Sequence, residues 1–202
     1  MTRKAAAVYS ADTSGSQAKP IEGSDGSSGS RPYHGTHKNL LQGLLGAGLA
    51  PTFERFQDAL AESFEGAVVS EEWVEYPDLL HFFEDHVGAA VIRSIFGGCL
   101  LDRNPGFVRN LWTFDGYILS LAKCLPWLCI PKAYKVRAKL LKAIEEWHTF
   151  AEAQSTSHED GDCDAHAYWG STMVKERYKM LREVKNQDRK SIAATDLGLM
   201  WT

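Results

Sequence analysis

Three aspartates at alternate positions form the first candidate site of the chain. Asp160, Asp162 and Asp164 have the spacing that opens a calcium-binding loop. Such a loop also needs glycine at its sixth position and glutamate at its twelfth. This chain has Ala165 and Ser171 there. We therefore interpret the stretch as a polar, acidic loop without a calcium ion.

The same stretch carries ligand types that zinc prefers. His158, Cys163 and His166 could supply two imidazoles and a thiolate. A closed structural zinc site needs four ligands, and this spacing matches no such site. A solvated polar turn is the favoured interpretation, and no metal ligand is predicted.

Two further pairs of histidines are candidates for binding an anion or a metal ion. His34 and His37 lie at or just before the first predicted helix and could donate to a carboxylate or a phosphate. A solvated helix start is the favoured interpretation, although positive charge there opposes the helix dipole. His81 and His86 stand among phenylalanines, which favours interior or boundary histidines over metal ligands.

No catalytic constellation emerges from the motifs. The sequence contains no G-x-S-x-G elbow, no phosphate-binding G-x-x-x-x-G-K-[ST] loop and no G-x-G-x-x-G after a strand. Four cysteines without a close-set framework favour reduced thiols over disulfides. They are Cys99, Cys124, Cys129 and Cys163.

Apolar residues recur at helical spacing, which predicts an all-α fold of about seven helices with little or no sheet. The predicted helices cover about 37–45, 51–64, 77–96, 105–125, 131–147, 165–185 and 190–202. The third should be the longest buried helix, and Asn104 should cap the fourth. Ala67–Val69 is the one short strand candidate. Residues 1–30 are rich in Ser and Gly and are expected to be disordered, so that residues 31–202 form the helical part.

The composition narrows the class of protein. The chain has 202 residues, of which 44% are hydrophobic and 24% charged, as in ordinary globular proteins. The net charge is −4 and the 22 basic residues are spread along the chain, which argues against nucleic acid as a partner. Apolar stretches fall short of the roughly 20 residues of a spanning helix. No membrane anchor and no secretory signal are expected, so the predicted location is the cytosol.

Several strings resemble, in order, the helices of fungal cytochrome P450 monooxygenases. The resemblance extends over about Arg31 to Thr202. The strings are Gly35–Leu45, Phe53–Leu60, Glu71–Leu80, Ile95–Gly97, Asn104–Val108, Leu125–Tyr134 and Ala193–Trp201. They are similar to consecutive helices of that family and to the start of its long central helix. Full-length relatives use haem iron and electrons from a reductase to oxidise apolar small molecules of sterol or secondary metabolism, at the endoplasmic-reticulum membrane.

The resemblance also indicates what this sequence lacks. The family holds its iron through a cysteine in a loop of the form F-x-x-G-x-x-x-C-x-G. The seventh residue after Phe96 is Arg103, and no glutamate is followed three residues later by arginine. We therefore expect a truncated, internal fragment that binds no haem and is inactive alone. By resemblance, His34 and His37 are the candidate contacts to the haem propionates, although the usual W-x-x-x-R is absent.

Two hypotheses follow. The first is an inactive fragment of a haem-thiolate monooxygenase. The second is a non-catalytic helical module that binds a ligand or another protein. Half of a larger fold would expose apolar patches and aggregate, whereas a binding module would melt cooperatively as a monomer.

Overall fold

The computed structural model describes residues 3–65, 73, 75–155, 165–184 and 187–201. Helices dominate this part of the chain and confirm the all-α class, with eleven α-helices where the sequence predicted about seven. They are α1 (Arg3–Ala11), α2 (Pro32–Leu44), α3 (Leu49–Glu65), α4 (Leu79–Phe83), α5 (Ala89–Phe96), α6 (Gly98–Arg103), α7 (Phe107–Asp115), α8 (Ile118–Ala122), α9 (Pro131–Ser155), α10 (Thr172–Glu183) and α11 (Arg189–Trp201). Two strands, β1 (Ala165–His166) and β2 (Gly170–Ser171), pair antiparallel.

The core is built around α9. Pro131 starts this helix as predicted, and its 25 residues make it the longest in the described part of the chain. Trp147 and Ile144 are fully buried in it. They pack in one cluster with apolar side chains of α5, α6, α7, α10 and α11. The burial of so many large side chains along one helix is the main stabilising term that the fold offers.

The segment predicted as one helix over 77–96 is divided and is not the longest buried helix, which corrects the sequence prediction. A π turn at Glu84–Gly88 separates α4 from α5. Asp78 caps α4 by accepting from the backbone of Leu80. The side chains of Leu79, Leu80 and Phe83 remain exposed. The extra residue in the π turn rotates α4 relative to α5, so that α4 does not continue the core-facing side of α5.

The helix predicted over 105–125 is also divided. Asn104 does not cap it; its side-chain amide donates to the carbonyl of Leu100 and ends α6, which the sequence did not predict. A Pro105–Gly106 turn then leads into α7, and a second turn at Gly116–Tyr117 separates α7 from α8. Proline and glycine placed so close together favour these turns over one continuous helix.

The helix predicted from Ala165 begins at Thr172 instead. Residues 165–171 form a small hairpin, and Gly170 has a φ of +80°, which an L side chain rarely adopts. Ser171 caps α10, since its hydroxyl accepts from Val174 N and donates to the carbonyl of Ile95 at 2.8 Å. The hairpin therefore attaches the start of α10 to the end of α5.

The first thirty residues contain α1, which the sequence did not predict. Tyr9 is buried and packs edge-to-face on Tyr33, with ring centroids 5.1 Å apart. The side chain of Arg31 is buried and donates to Ser14 and to the carbonyl of Ala18. The expected disorder of this segment in solution stays a prediction, and hydrogen exchange of residues 1–30 would test it.

Several sequence predictions fall on residues that are not described. They concern the strand Ala67–Val69, the acidic loop with Asp160, Asp162 and Asp164, and the zinc ligands His158 and Cys163. None of the helices in the described part of the chain combines the length and apolar character needed to cross a membrane.

Candidate functional site

An apolar cavity of about 330 Å³ lies between the α4–α5 helix pair, α7 and the end of α11. Aliphatic and aromatic side chains make up most of its wall. The lining residues are Leu80, Phe83, Glu84, Val87, Gly88, Val91, Ile92, Val108, Leu111, Trp112, Asp115, Met200 and Trp201. We call this the apolar pocket. Its size falls at the lower end of the range of small-molecule sites.

The polar ends of the two indoles that line the pocket are already occupied. Trp112 Nε1 donates to the backbone carbonyl of Glu84 at 3.3 Å, and Trp201 Nε1 donates to Asp115. Gly88 permits the first contact, because a Cβ there would stand 3.0 Å from Trp112 Nε1. The indoles therefore offer ring faces rather than donors, and the pocket suits an apolar molecule.

A larger cavity of about 670 Å³ has a different character. Its lining includes three carboxylates, two guanidinium groups and His86. Arg93 pairs with Asp102 at 2.8 Å within this wall. An apolar ligand would have to desolvate these charges, so volume alone does not identify the better site. The apolar pocket, although smaller, is the better candidate site for an apolar ligand.

A buried ion-pair network lies in the core close to α2. Arg177 Nε donates to Asp196 Oδ1 at 2.9 Å, and both side chains are 2% exposed. His148 Nε2 lies 3.0 Å from Asp196 Oδ2. Burial alone would raise the pKa of Asp196, but the His148 contact and the Arg177 guanidinium outweigh it and hold that pKa below its ordinary value.

His148 is packed among aromatic rings and is only partly satisfied. Its ring centroid lies 4.8 Å from that of Tyr178 and 5.8 Å from that of Trp169. The Nε2 contact with Asp196 is short but poorly aligned, and neither ring nitrogen makes a well-formed hydrogen bond. His148 therefore lies against the carboxylate of Asp196 within the core.

Sequence reasoning missed this network. A signal did exist: Asp196 and the preceding Thr195 interrupt an otherwise apolar run from Ile192 to Leu197, and a buried carboxylate requires a partner. The partners could not be identified, because Arg177 and His148 belong to other helices and look like ordinary surface residues in sequence.

The structure separates the residues that the sequence had proposed. His34 Nδ1 lies 3.1 Å from the carbonyl oxygen of Ser16, while His37 is exposed. Thr36 between them faces inward, where its hydroxyl oxygen accepts from Arg177 Nη1 at 3.2 Å and lies 3.0 Å from the hydroxyl of Tyr9. Assignment of His34 and His37 to haem propionates stays an expectation from resemblance.

The other two histidines behave differently from one another. His86 is half-buried, bonds Ser63 at 2.8 Å and packs on Phe82, which confirms a boundary position. His81 is exposed instead and lies 2.7 Å from Glu84. The hydrogen bond to Glu84, together with the charge of Asp78, raises the pKa of His81.

The described cysteines do not fit a haem-thiolate centre. Burial raises the pKa of the Cys99 thiol, which favours the neutral form over the thiolate that iron requires. Cys124 and Cys129 are exposed. Among the residues with described side chains, no three His, Cys, Asp or Glu gather where they could hold a metal ion.

Comparison with known proteins gives a consistent relationship. The chain is 31% identical over 176 residues to the cytochrome P450 monooxygenase fsoE of Humicola fuscoatra, covering 83% of the chain and 30% of that protein. It is 29% identical over 168 residues to efuG of Hormonema carpetanum, covering 82% of the chain and 30% of the relative. It is 27% identical over 176 residues to calL of Penicillium decumbens, covering 83% and 32%.

No family model matches the sequence, and no solved structure matches it significantly. The chain spans about 30% of the length of the curated relatives. The described helices are thus the helices of a polypeptide related to the fungal cytochrome P450 monooxygenases, and they correspond to about a third of such a protein.

Proposed function

We propose that this chain supplies the part of a haem-thiolate monooxygenase that holds an apolar small molecule. The observation that carries the proposal is the apolar pocket, in which aliphatic and aromatic side chains from three parts of the chain converge. The oxidation itself needs an iron-bound thiolate, which the described residues do not provide. The chain alone is therefore proposed to bind its ligand without oxidising it.

The proposed ligand is a largely hydrocarbon molecule, of the kind found among sterols and fungal secondary metabolites. Ring faces of Trp112 and Trp201 favour flat or alicyclic carbon skeletons. The two carboxylates at the pocket already have partners. Asp115 accepts from Trp201, and the carboxylate of Glu84 lies 2.7 Å from His81. In the whole enzyme, haem would supply oxygen activation, and a reductase would be the electron-donating partner.

By resemblance, His34 and His37 are the proposed contacts to the haem propionates. The support is the position of both histidines on α2, which packs against α10 beside the buried ion-pair network. The proposed location of this chain is the cytoplasm. Free thiols at Cys99, Cys124 and Cys129 support a reducing compartment.

A second candidate function is that of a non-catalytic binding module. The observation in its favour is the continuous cluster of buried apolar residues that joins α5, α6, α7, α9, α10 and α11. Such a cluster could support cooperative folding without further segments. Both candidate functions bind a ligand of the same class in the apolar pocket. They differ in whether the whole protein uses haem.

Binding of N-phenyl-1-naphthylamine, a neutral apolar fluorophore, tests the pocket. Leu80→Asp places a carboxylate in the pocket wall, and we expect it to weaken binding by about tenfold or more because the charge must be desolvated. Leu49→Asp is the matched control, since Leu49 is also an exposed leucine at the start of a helix but lies outside the pocket. Equal binding by both variants would contradict the proposal.

Titration with haem separates the two functions. A Soret band of the reduced carbon monoxide complex would show a thiolate-ligated iron and would overturn the proposal that the chain is inactive alone. A chain that binds the fluorophore, melts cooperatively and takes up no haem in a Soret titration would favour the binding module. Aggregation of an otherwise intact chain would favour the monooxygenase part.

A further inference from the structure

A third cavity, of about 280 Å³, lies where the end of α6 and the start of α7 face α9. We call it the cationic cavity. One part of its wall is apolar and consists of the buried side chains of Phe107, Leu140 and Ala143. The polar part of the wall includes Arg103 and Lys139. Among the described residues that line it, none carries a carboxylate.

The two cations of this cavity have no carboxylate partner in the part of the chain that the structure describes. The guanidinium carbon of Arg103 lies 4.2 Å from the centre of the Phe150 ring, a contact that restrains the guanidinium without neutralising it. Glu146, which is on the same helix as Lys139, lies 3.6 Å from Lys142 instead. Like charges that line one cavity repel each other, and a bound anion would remove this repulsion.

Asp102 and Arg103 are adjacent in sequence but line different cavities. Asp102 pairs with Arg93 at 2.8 Å in the wall of the 670 Å³ cavity. Arg103 lines the cationic cavity. The end of α6 thus directs a carboxylate to one side and a guanidinium to the other, and the acidic neighbour of Arg103 is already used elsewhere.

Two asparagines add uncharged donors to the cavity wall. Asn104 Nδ2 donates to the carbonyl of Leu100, and Asn110 Nδ2 donates to the carbonyl of Gly106. A primary amide has two N–H groups, so each asparagine retains one for a ligand. A guanidinium, an ammonium and two amides are donors that suit the oxygens of a phosphate group.

The half of α9 that carries Lys139 has a strongly positive charge. Residues 131–144 contain no aspartate or glutamate and five basic residues, which are Lys132, Lys135, Arg137, Lys139 and Lys142. The chain as a whole has a net charge of −4, so this half of the helix is unlike the rest of the molecule. Its field attracts a dianion toward the cationic cavity.

We propose that the cationic cavity binds the phosphate group of a small organic phosphate. Arg103 and Lys139 contact the phosphate oxygens, and the two asparagine amides donate to the same group. The organic part of the ligand lies against the apolar wall, since phosphate oxygens placed there would find no hydrogen bond. This proposal does not depend on the proposed function, because the cationic cavity and the apolar pocket share no lining residue.

Isothermal titration with phenyl phosphate tests the proposal. We expect phenyl phosphate to bind roughly tenfold more tightly than inorganic phosphate, because its ring covers part of the apolar wall. Added salt should weaken the binding of both anions. Benzyl alcohol, which has the ring but no charge, should not compete with phenyl phosphate.

Substitution of the two cations locates the site. Arg103→Gln and Lys139→Gln should each weaken the binding of phenyl phosphate by about tenfold or more, because each removes a charge-assisted hydrogen bond. Arg103→Lys should have an intermediate effect, since it keeps the charge but loses the two-pronged geometry. Arg109→Gln and Lys135→Gln are the matched controls, as both residues are exposed near the cavity in sequence but do not line it. A thermal melt without ligand checks that each variant is folded.

Hydrogen exchange provides an independent measurement. Phenyl phosphate should slow the exchange of backbone amides in residues 103–110 and 139–143. The proposal is wrong if phenyl phosphate does not bind, if it binds no more tightly than inorganic phosphate, or if the control variants lose as much affinity as the cavity variants. Displacement of N-phenyl-1-naphthylamine by phenyl phosphate would also overturn it, because the anion would then occupy the apolar pocket.

Discussion

Arg177 of α10 and Asp196 of α11 form an ion pair in the core, with Arg177 Nε 2.9 Å from Asp196 Oδ1 and both side chains excluded from water. The pair extends in two directions. Asp196 also contacts His148 of α9, and Arg177 also donates to Thr36 of α2. Four helices that meet in the core therefore share one set of charges, and their relative positions depend on it.

Replacement of Asp196 by asparagine should destabilise the protein strongly. The guanidinium of Arg177 would remain buried without its counter-charge, and the expected loss in the free energy of unfolding is about 3–5 kcal/mol. Chemical denaturation measures this loss. Asp102→Asn is the control, because Asp102 pairs with Arg93 at the surface and its loss should cost less than about 1 kcal/mol. Similar losses in the free energy of unfolding for the two variants would contradict the expectation that the buried ion pair contributes more than the surface pair.

Acid should remove the stabilisation that the carboxylate of Asp196 provides. The folded-state pKa of Asp196 lies below its ordinary value of 3.8. The stabilisation by its carboxylate is therefore fully present above about pH 4 and is lost as the pH falls through the folded-state pKa. The difference in unfolding free energy between wild type and Asp196→Asn should thus be constant near neutrality and shrink in acid. A constant difference down to low pH would show that the carboxylate is not the stabilising group.

Gly97→Ala should lower the free energy of unfolding more than a glycine-to-alanine substitution at another residue with a positive φ. Gly97 has a φ of +78°, and a Cβ there would stand 2.6 Å from the Cα of Gly170. Gly23 has a φ of +82° but open space around it, so Gly23→Ala measures the backbone strain alone. We expect Gly97→Ala to cost about 1–3 kcal/mol more than Gly23→Ala in thermal or chemical unfolding. Equal costs would mean that the hairpin moves away freely.

Asp188 should stabilise the protein both as the N-cap of α11 and through its ion pair with Lys4. Its carboxylate accepts from Ser191 N at 2.8 Å at the start of α11 and from Lys4 Nζ at 2.8 Å. Asp188→Ala should cost about 1 kcal/mol, whereas Asp188→Asn should cost only a few tenths because asparagine also caps. Denaturation of the two variants checks this order. If asparagine were as costly as alanine, the ion pair with Lys4 would be the larger contribution.

Local signals predicted some elements well. Pro131 begins α9 as predicted, and Trp147, the last residue of the predicted range, is fully buried. The stop at Gly97 is also confirmed, since its positive φ ends α5. These features depend on residues that are neighbours in sequence, where proline, glycine and helical periodicity act directly.

Other features depend on contacts between distant residues. The start of α10 is delayed to Thr172 because the Ser171 hydroxyl reaches the carbonyl of Ile95, which lies 76 residues earlier in the chain. The charges of Arg177 and Asp196 are interpretable only once α10 and α11 are placed side by side. Periodicity could not indicate either contact, because it reports which face of a helix is apolar and not which helix covers it.

The hydroxyl of Tyr9 lies 3.0 Å from Thr36, which itself accepts from Arg177. A shortened expression fragment that begins at Arg31 would therefore lose one support of the charged core, together with the ring contact to Tyr33. Its melting temperature should fall below that of the longer chain, and its Arg177–Thr36 contact should loosen first. The starting residue chosen for recombinant production is consequently a determinant of how well the interior is ordered.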